Sequence, residues 1–385
     1  MKRIITVAIA ALALAACAKE NVYDVQREIT FEVASRIQTK ATTGAFYNNG
    51  AFGTYAWYTA TTSTTTGSNG APFMVNEQVD NNGSVWKTVD HTFYWPKTGS
   101  IDFISYSPFA GTSNTAGTVP AITEDSITYS DYTVGNVDLM YADKVVGCSA
   151  NVNEIEDNLA GGSDSGFSGV PTLFRHALAK ISFKIKANFV SYTEGGNTTT
   201  WEVTVKNAKI SGFKTTGDCA LALNTDGKSW DKPETTVGSD KFNVWTNPSG
   251  SSAAQELIAS DVVLTTTAQD IASASGYVLP QILADDTQKL DLNIHIKTTL
   301  SNGKTIEEDY ITTGCGGTFP SIDLKAISTL KAWQMNENIV YTINIKPTAK
   351  AATGGLDDAP TDVTITFDPA VADWTTVDAT ATIQL

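Results

Sequence analysis

Charged side chains are few in this sequence, and basic ones are the scarcest. Only 17% of the 385 residues are charged, and 26 Lys and Arg stand against 41 Asp and Glu, which gives a net charge of -15. An excess of negative charge repels nucleic acid and anionic lipid headgroups. The composition therefore argues against a nucleic-acid partner.

Histidine is equally rare, and the motifs of common enzymes are missing. The three histidines, His91, His176 and His295, stand in no motif for nucleophilic catalysis, phosphate binding or metal-dependent hydrolysis. The acidic loops lack the spacing of an EF-hand calcium loop. We therefore predict a protein that is not an enzyme and that uses no cofactor or metal.

Cysteine is scarce too, and its spacing does not form a disulfide framework. One of the four cysteines lies at residue 17, and the other three are Cys148, Cys219 and Cys315. An odd number at wide spacing fits neither a set of disulfides nor a zinc site. Three isolated thiols are the simplest interpretation, and a single pair among them is left open.

Long apolar runs are absent except at the start of the chain. MKRIITVAIAALALAAC has a basic start, a short apolar segment and a small-residue cleavage site before Cys17. The apolar segment is too short to span a bilayer comfortably. Leu-Ala-Ala-Cys resembles the bacterial lipobox, which predicts a signal peptide over residues 1–16 and lipidation, including palmitate, at Cys17. The alternative is an ordinary secretory signal with a chance cysteine.

The remaining sequence has the period of two that is typical of β-strands. Apolar and polar residues alternate in several segments, while FGTYAWYTA (52–60) and IDFISYSPF (101–109) carry large residues on both faces. Clusters of Asn and Gly separate these segments as turns. The pattern predicts an all-β protein, whose alternating strands fall at 181–189, 201–205, 290–296, 339–345 and 363–367.

The length and one change in composition predict two domains. A chain of 385 residues suits two domains of ordinary size, and Gly and Ser dominate AGGSDSGFSGV at residues 160–170. We therefore place an N-terminal domain at 37–170 and a C-terminal domain at 171–385.

Each end of the chain carries an alternating strand with one apolar face. The C-terminal set at 375–385 is longer by two apolar positions than the N-terminal one, and each buried aliphatic side chain contributes about 1.5–3 kcal/mol. The C-terminal strand is therefore the stronger binder for an open sheet edge. The apolar positions are Ile29, Phe31 and Val33 at the N-terminus, and Val377, Ala379, Ala381, Ile383 and Leu385 at the C-terminus.

Six segments, in order along the chain, resemble the fimbrillins, the type V pilins of Bacteroidetes-type bacteria. This resemblance implies two transthyretin-like Greek-key β-sandwich domains in tandem, and a fimbrial subunit that supports cell adhesion. The segments are WPKTGSIDFISYSPF (95–109), DLMYAD (138–143), FRHALAKISFKI (174–185), YVLPQ (277–281), ENIVYTINI (337–345) and ITFDPAVADW (365–374).

The resemblance also implies a route of assembly. An outer-membrane lipoprotein precursor would lose its N-terminal strand, within residues 17–36, to an Arg- or Lys-specific protease. The C-terminal strand of the next copy would then fill the groove, which gives a head-to-tail polymer at the cell surface. Tip and anchor subunits and a host or bacterial receptor are the further partners. Arg36 is the preferred cleavage site and Lys40 the second, because a cut at Arg27 would leave the strand in place.

Alternatives stay open for each part of this interpretation. Residues 375–385 are also explained as the ordinary last strand of the C-terminal domain. An uncut Arg36 suits an anchor subunit, which must keep its lipid, and a tip subunit would not need a donor strand. A glycan-binding surface lipoprotein is the other alternative. For that function the turn-adjacent Trp86 and Trp230 are predicted to be exposed, whereas Trp57 and Trp95 are predicted to lie in the core.

Overall fold

The computed structural model of the chain describes residues 28–35, 50–60, 70–81, 86–111, 119–148, 169–187, 193–194, 197–271, 276–326, 330–348, 362–367, 375–376 and 381–384. In this part of the chain β-strands dominate, and the one helical element is a 3-10 turn at Thr313–Cys315. No helix among the described residues is long and apolar enough to cross a membrane. The all-β prediction is confirmed.

The strands are numbered in chain order. Those in the first half are β1 (Phe31–Ser35), β2 (Phe52–Thr59), β3 (Ala71–Asn81), β4 (Trp86–Thr88), β5 (Ser100–Ser107), β6 (Ala121–Thr123), β7 (Ser126–Thr133), β8 (Met140–Ala142), β9 (Val145–Cys148) and β10 (Val170–His176). Those in the second half are β11 (Ala179–Ala187), β12 (Thr193–Glu194), β13 (Asn197–Ser211), β14 (Thr216–Leu223), β15 (Trp230–Asp231), β16 (Thr235–Val237), β17 (Asp240–Phe242), β18 (Thr246–Ser249), β19 (Gln255–Glu256), β20 (Val262–Val263), β21 (Gln269–Asp270), β22 (Tyr277–Val278), β23 (Gln281–Ile282), β24 (Lys289–Leu300), β25 (Thr305–Ile311), β26 (Ile322–Asp323), β27 (Ala332–Trp333), β28 (Glu337–Thr348), β29 (Asp362–Phe367), β30 (Thr375–Thr376) and β31 (Ala381–Gln384).

The first sheet closes on itself. Its order is β2-β3-β4-β1-β10-β8-β5-β9, and a further pairing between β2 and β5 closes the seven strands from β2 to β5 into a ring, with β9 paired to β5 beside it. Closing a sheet removes its free edges and encloses a core. The ring encloses the first core, which consists of Ile29, Phe31, Phe52, Ala56, Met74, Val79, Trp86, Trp95, Ile101, Phe103, Met140, Ala142, Val145, Cys148, Val170 and Phe174.

The second half forms a sandwich of two sheets. In one sheet β11 pairs in parallel with β28, and β28 continues to β29 and β31; in the other, β13 pairs with β24 and β24 with β25. The predicted alternation in β11 is confirmed, because Ile181, Phe183, Ile185 and Ala187 are buried while the lysines between them are half-buried. These side chains belong to the second core, between the two sheets.

A third core joins the two halves. Strand β7 from the first half pairs antiparallel with β14 from the second, within a sheet that also contains β6, β15 and β18. Beneath it, Trp245 stacks against Tyr129 with 6.3 Å between ring centroids and donates a hydrogen bond from Nε1 to the Ala177 carbonyl oxygen at 2.9 Å. The third core therefore draws side chains from both sides of the β10–β11 connection.

The division into domains at residue 170 stays a prediction. Strand β10 pairs with β1 and β8 in the first sheet, whereas β11 pairs with β28 in the second sandwich. Ala177 and Leu178, between these strands, belong to the third core. A division drawn by sheet membership would fall between β10 and β11.

Candidate functional site

The N-terminal strand β1 lies between two strands of the closed sheet. It pairs in parallel with β10 from Phe31, opposite Val170, to Ser35, opposite Phe174, and it meets β4 at the single pair Phe31–Trp86. Without β1 the described ring would be open between β4 and β10. We call this position the β1 slot.

Backbone hydrogen bonds hold the segment that leads into the slot. The Ile29 N–H donates to the Phe93 carbonyl oxygen at 2.9 Å, and the Val170 N–H donates to the Thr30 carbonyl oxygen at 2.8 Å. A Cβ atom at Gly169 would lie 2.6 Å from that Thr30 oxygen, so a larger residue would push the two segments apart. Gly169 therefore permits β1 to lie close to β10.

Two side chains of the N-terminal segment are part of the first core. Ile29 and Phe31 are 1% and 3% exposed. The Phe31 ring packs edge to face against Phe52 at 5.6 Å and against Phe103 at 5.8 Å. Edge-to-face pairs stabilise beyond the area they bury, by about 0.5–1.5 kcal/mol. Loss of β1 would uncover an aromatic lining in the slot.

The structure brings two of the three predicted N-terminal residues into the first core. Ile29 and Phe31 lie there together, as described above. Val33 pairs with Thr172 through the backbone of β1 and β10, and its side chain lies outside the described residues. The lipidation site Cys17 and the cleavage sites Arg36 and Lys40 lie outside the described residues as well, so both assignments stay predictions.

The C-terminal strand pairs within its own chain. Strand β31 runs antiparallel to β29, and the register aligns Ile383 with Ile365, which in turn lies opposite Ile345 of β28. Among the described strands, β31 pairs only with β29, which makes it an edge strand. This arrangement is the one expected of an ordinary last strand.

A role for the C-terminal strand as a donor therefore stays a prediction. Ala381 and Ile383 lie in β31, whereas Val377, Ala379 and Leu385 fall outside the described residues. The two terminal strands differ in their pairing: β1 has strands on both sides, and β31 has one. Fewer ladder bonds therefore hold β31 than a central strand of equal length.

The prediction that Trp86 and Trp230 are exposed is wrong. Both are 7% exposed: Trp86 belongs to the first core, and Trp230 donates a hydrogen bond from Nε1 to the Ala142 carbonyl oxygen at 2.8 Å. Each is the first residue of a short strand, and its side chain enters a core. Trp95 is buried as predicted, and Trp57 packs, partly buried, against the third core.

The histidines and cysteines do not form a chemical site in the described part of the chain. Each histidine Nδ1 lies near one carboxylate oxygen, at 3.0 Å for His91 and Glu77, 2.6 Å for His176 and Asp138, and 2.7 Å for His295 and Asp309. The hydrogen bond with Glu77 raises the pKa of His91.

Cys148, Cys219 and Cys315 are free thiols. No group of three His, Cys, Asp or Glu residues suited to a metal ion occurs among the described residues. The candidate site in this part of the chain is thus the β1 slot, and no metal-binding cluster occurs there.

Residues that line the β1 slot were not identified from the sequence. Phe52 and Phe103 pack against Phe31, and Phe174 packs against Phe52. Gly169 allows β1 to lie close to β10. These residues lie far apart along the chain. The one sequence signal was the run of large residues on both faces of 52–60 and 101–109, which predicted central strands.

Comparison with known proteins agrees with the fold. A search of curated proteins gives no match. Among solved structures, a fimbrial protein from Bacteroides vulgatus is 18% identical, with a TM-score of 0.54, and the alignment covers 89% of this chain and 99% of that one. A proposed cell adhesion protein from Bacteroides uniformis is 19% identical, with a TM-score of 0.40 and coverage of 90% and 99%. Another from Bacteroides ovatus is 15% identical, with a TM-score of 0.36 and coverage of 92% and 99%.

The sequence itself matches the profile of one family over most of its length. The matched residues are 39–374, which include every strand from β2 to β29. The likeness to the fimbrial protein from Bacteroides vulgatus supports the same β-sandwich fold at low identity. The chain belongs to the fimbrillin-like family.

Proposed function

We propose that this chain is a subunit of a cell-surface fimbria and that it polymerises by strand exchange at the β1 slot. Proteolysis after Arg36 removes β1, and the C-terminal strand of another copy takes its place. The observation that carries the proposal is the position of β1, which closes the first sheet and adds Ile29 and Phe31 to the core.

The chemistry of the slot supports the exchange. Removing β1 uncovers the aromatic side chains around Phe31 and leaves the facing edges of β4 and β10 without a strand between them. Exposed apolar surface and unpaired backbone groups both favour capture of another strand. The replacement strand at 375–385 has five alternating apolar positions against three in β1 and the residues before it.

The edge position of β31 also supports the proposal. Its described ladder joins it to β29 alone, from Ala381 to Gln384. Releasing residues 375–385 breaks this ladder and the two-residue pairing of β30 with β28, and it leaves the pairing between β11 and β28 intact. Two short pairings of this kind support release of the C-terminal segment at small cost.

Limited proteolysis of the purified chain from Ala18 onward tests the proposal. Trypsin is expected to give a new N-terminus at Ile37, and the cut protein is expected to form head-to-tail oligomers in size-exclusion chromatography. A cut at Lys40 would serve equally, because it also removes β1. The new terminus is identified by intact mass.

Two variants make this experiment specific. Replacing Arg36 and Lys40 by Ala should leave a monomer that keeps β1, whether or not Arg27 is cut, and deleting residues 375–385 should leave a cut protein that stays monomeric. The proposal fails if the cut wild-type protein remains a monomer, or if the deletion variant forms the same oligomers.

The proposal also implies a cellular location and a set of binding partners. The precursor is an outer-membrane lipoprotein anchored through Cys17, and the mature subunit is extracellular, with copies of itself, tip and anchor subunits and a surface receptor as partners. We assign the chain a structural role without catalysis, in keeping with the fimbrillin-like family to which it belongs. Glycan binding on Trp86 and Trp230 is not favoured, since both rings are buried.

A further inference from the structure

A buried lysine lies beside two carboxylates in the first half of the chain. Lys144, directly before β9, has a side chain that is 5% exposed; its Nζ lies 3.2 Å from Asp102 Oδ2 and 4.0 Å from Glu124 Oε1. Asp102 lies in β5 and Glu124 in the turn between β6 and β7. Three distant segments of the chain thus bring one amine and two carboxylates into a single, largely buried cluster.

Backbone N–H groups fix both carboxylates in place. The Gly147 N–H donates to Asp102 Oδ1 at 2.7 Å, and the Gly70 N–H donates to Glu124 Oε2 at 3.0 Å. Gly147 has φ +68 at an irregularity in the β5–β9 ladder, a conformation that glycine adopts without strain. In each carboxylate one oxygen is held by the backbone and the other lies nearer the lysine.

We propose that Lys144 and Asp102 condense to an intramolecular isopeptide bond, with Glu124 as the proton carrier. Glu124 passes one proton from the Lys144 ammonium to Asp102 Oδ2, and the free amine then attacks Cγ. Negative charge develops on Oδ1, where the Gly147 N–H stabilises it as in an oxyanion hole.

The reaction balances without any other reactant. Glu124 carries a second proton from Nζ to Oδ2, which leaves as water. One N–C bond forms and one C–O bond breaks. The positive and the negative charge of the pair disappear together, and Glu124 ends as it began. No oxidant, reductant or activated group is required.

Burial distinguishes this cluster from the exposed ion pairs of the molecule. Lys206 lies 2.7 Å from Asp261, closer than Lys144 to Asp102, but those side chains are 42% and 55% exposed and water competes for both. The side chains of Lys144 and Asp102 are 5% and 19% exposed, so both charges of this pair carry a desolvation penalty, which their condensation removes. The fixed geometry also replaces an encounter in solution by an intramolecular attack.

The bond would tie the closed sheet to the connection between β8 and β9. It would close the chain from residue 102 to residue 144 into a covalent loop, which contains β6, β7 and β8. A loop of this kind restricts the unfolded chain and so raises the melting temperature.

The intact mass of the purified protein tests the proposal directly. The expected mass is lower than that of the sequence by one water molecule. A digest should contain a branched peptide that joins the segments around Asp102 and Lys144, and a lysine-specific protease should not cut after Lys144. Lys144→Arg and Glu124→Gln should restore the full mass, while Lys206→Arg, the control at an exposed pair, should keep the loss.

Two outcomes would overturn the proposal. A wild-type protein at full mass, cut after Lys144, would show an ordinary buried ion pair. A loss of water that persists in Lys144→Arg and maps to the Asp226–Gly227 sequence would show a succinimide instead. The measurement on the wild-type protein decides the matter even if a variant fails to fold.

Discussion

At the scale of single residues, the same few aromatic and apolar side chains serve both the core and the proposed exchange. Phe31 contacts Phe52 and Phe103, so it anchors β1 in the slot and completes the first core. A strand that is to be removed must still bind well enough to fold the precursor. The stability of the uncut chain should therefore depend strongly on this one ring.

Replacing Phe31 by Ala is expected to destabilise the uncut protein by about 3–5 kcal/mol, because the change deletes a buried aromatic ring and leaves a cavity. Denaturant unfolding measures the loss. Val89→Ala, at a side chain that is 53% exposed, serves as the control and should alter the free energy of unfolding by less than about 0.5 kcal/mol. Equal effects of the two changes would contradict the assignment of Phe31 to the core.

Thiol reactivity provides a second test at the residue scale. Burial raises the pKa of Cys148 to about 12 and raises that of Cys219 well above its usual range, so both thiols stay protonated at neutral pH. Cys315 is only half-buried. Because the thiolate is the reactive form, a thiol reagent at about pH 8 should label Cys315 alone in the folded chain from Ala18 onward.

After denaturation all three cysteines should react, and Cys315→Ser should abolish labelling of the folded protein. Labelling of Cys148 or Cys219 without unfolding would show that the first or the third core opens readily.

At the scale of elements, local patterns predicted the strands, but their partners and closure were not predictable. Period-two alternation identified β11, β24 and β28 because the apolar residues along one face of each strand are buried in the core. The pairing of β1 with β10 joins positions 31 and 170, and no pattern within either strand specifies the other. The sequence placed Trp86 and Trp230 beside predicted turns, but how deeply each indole ring is buried depends on strands that are distant along the chain.

Two truncations are expected to differ because of how each terminal strand pairs. Deleting residues 381–385 removes an edge strand, so the monomer should stay folded with a small decrease in melting temperature. A chain that begins at Ile37 and also lacks residues 375–385 has neither β1 nor a strand to replace it, and it should melt at a much lower temperature and bind a dye specific for exposed apolar surface. Calorimetry measures the melting temperature, and dye fluorescence measures the exposed apolar surface. Similar decreases in melting temperature for both truncations would contradict the prediction.

At the scale of the whole molecule, the third core makes the two halves interdependent. Strand β7 of the first half pairs with β14 of the second half. Trp245 of the second half packs against Tyr129 and Tyr132 of the first half, and it donates a hydrogen bond to the Ala177 carbonyl oxygen in the connection between the halves. Two domains joined only by a linker would unfold separately. We expect a single cooperative transition here.

Trp245→Ala is expected to split that transition into two, since it removes a buried ring at the centre of the third core. Differential scanning calorimetry should show one peak for the wild-type protein and two for the variant. Trp333→Ala is the matched control, because Trp333 is equally buried but lies in the second core. It should lower the melting temperature of the single transition without splitting it. Two peaks in the wild-type protein would contradict the interdependence.

The β7–β14 ladder also has a mechanical consequence. A pulling force applied between β1 and β31 has two routes through the molecule: the covalent connection at Ala177 and Leu178, and the backbone ladder between β7 and β14. The two routes act in parallel and share the force. Separating the two halves should therefore require a higher force than it would if the covalent connection alone joined them. The molecule should therefore respond to stretching as one stiff segment, with little extension before a sheet ruptures.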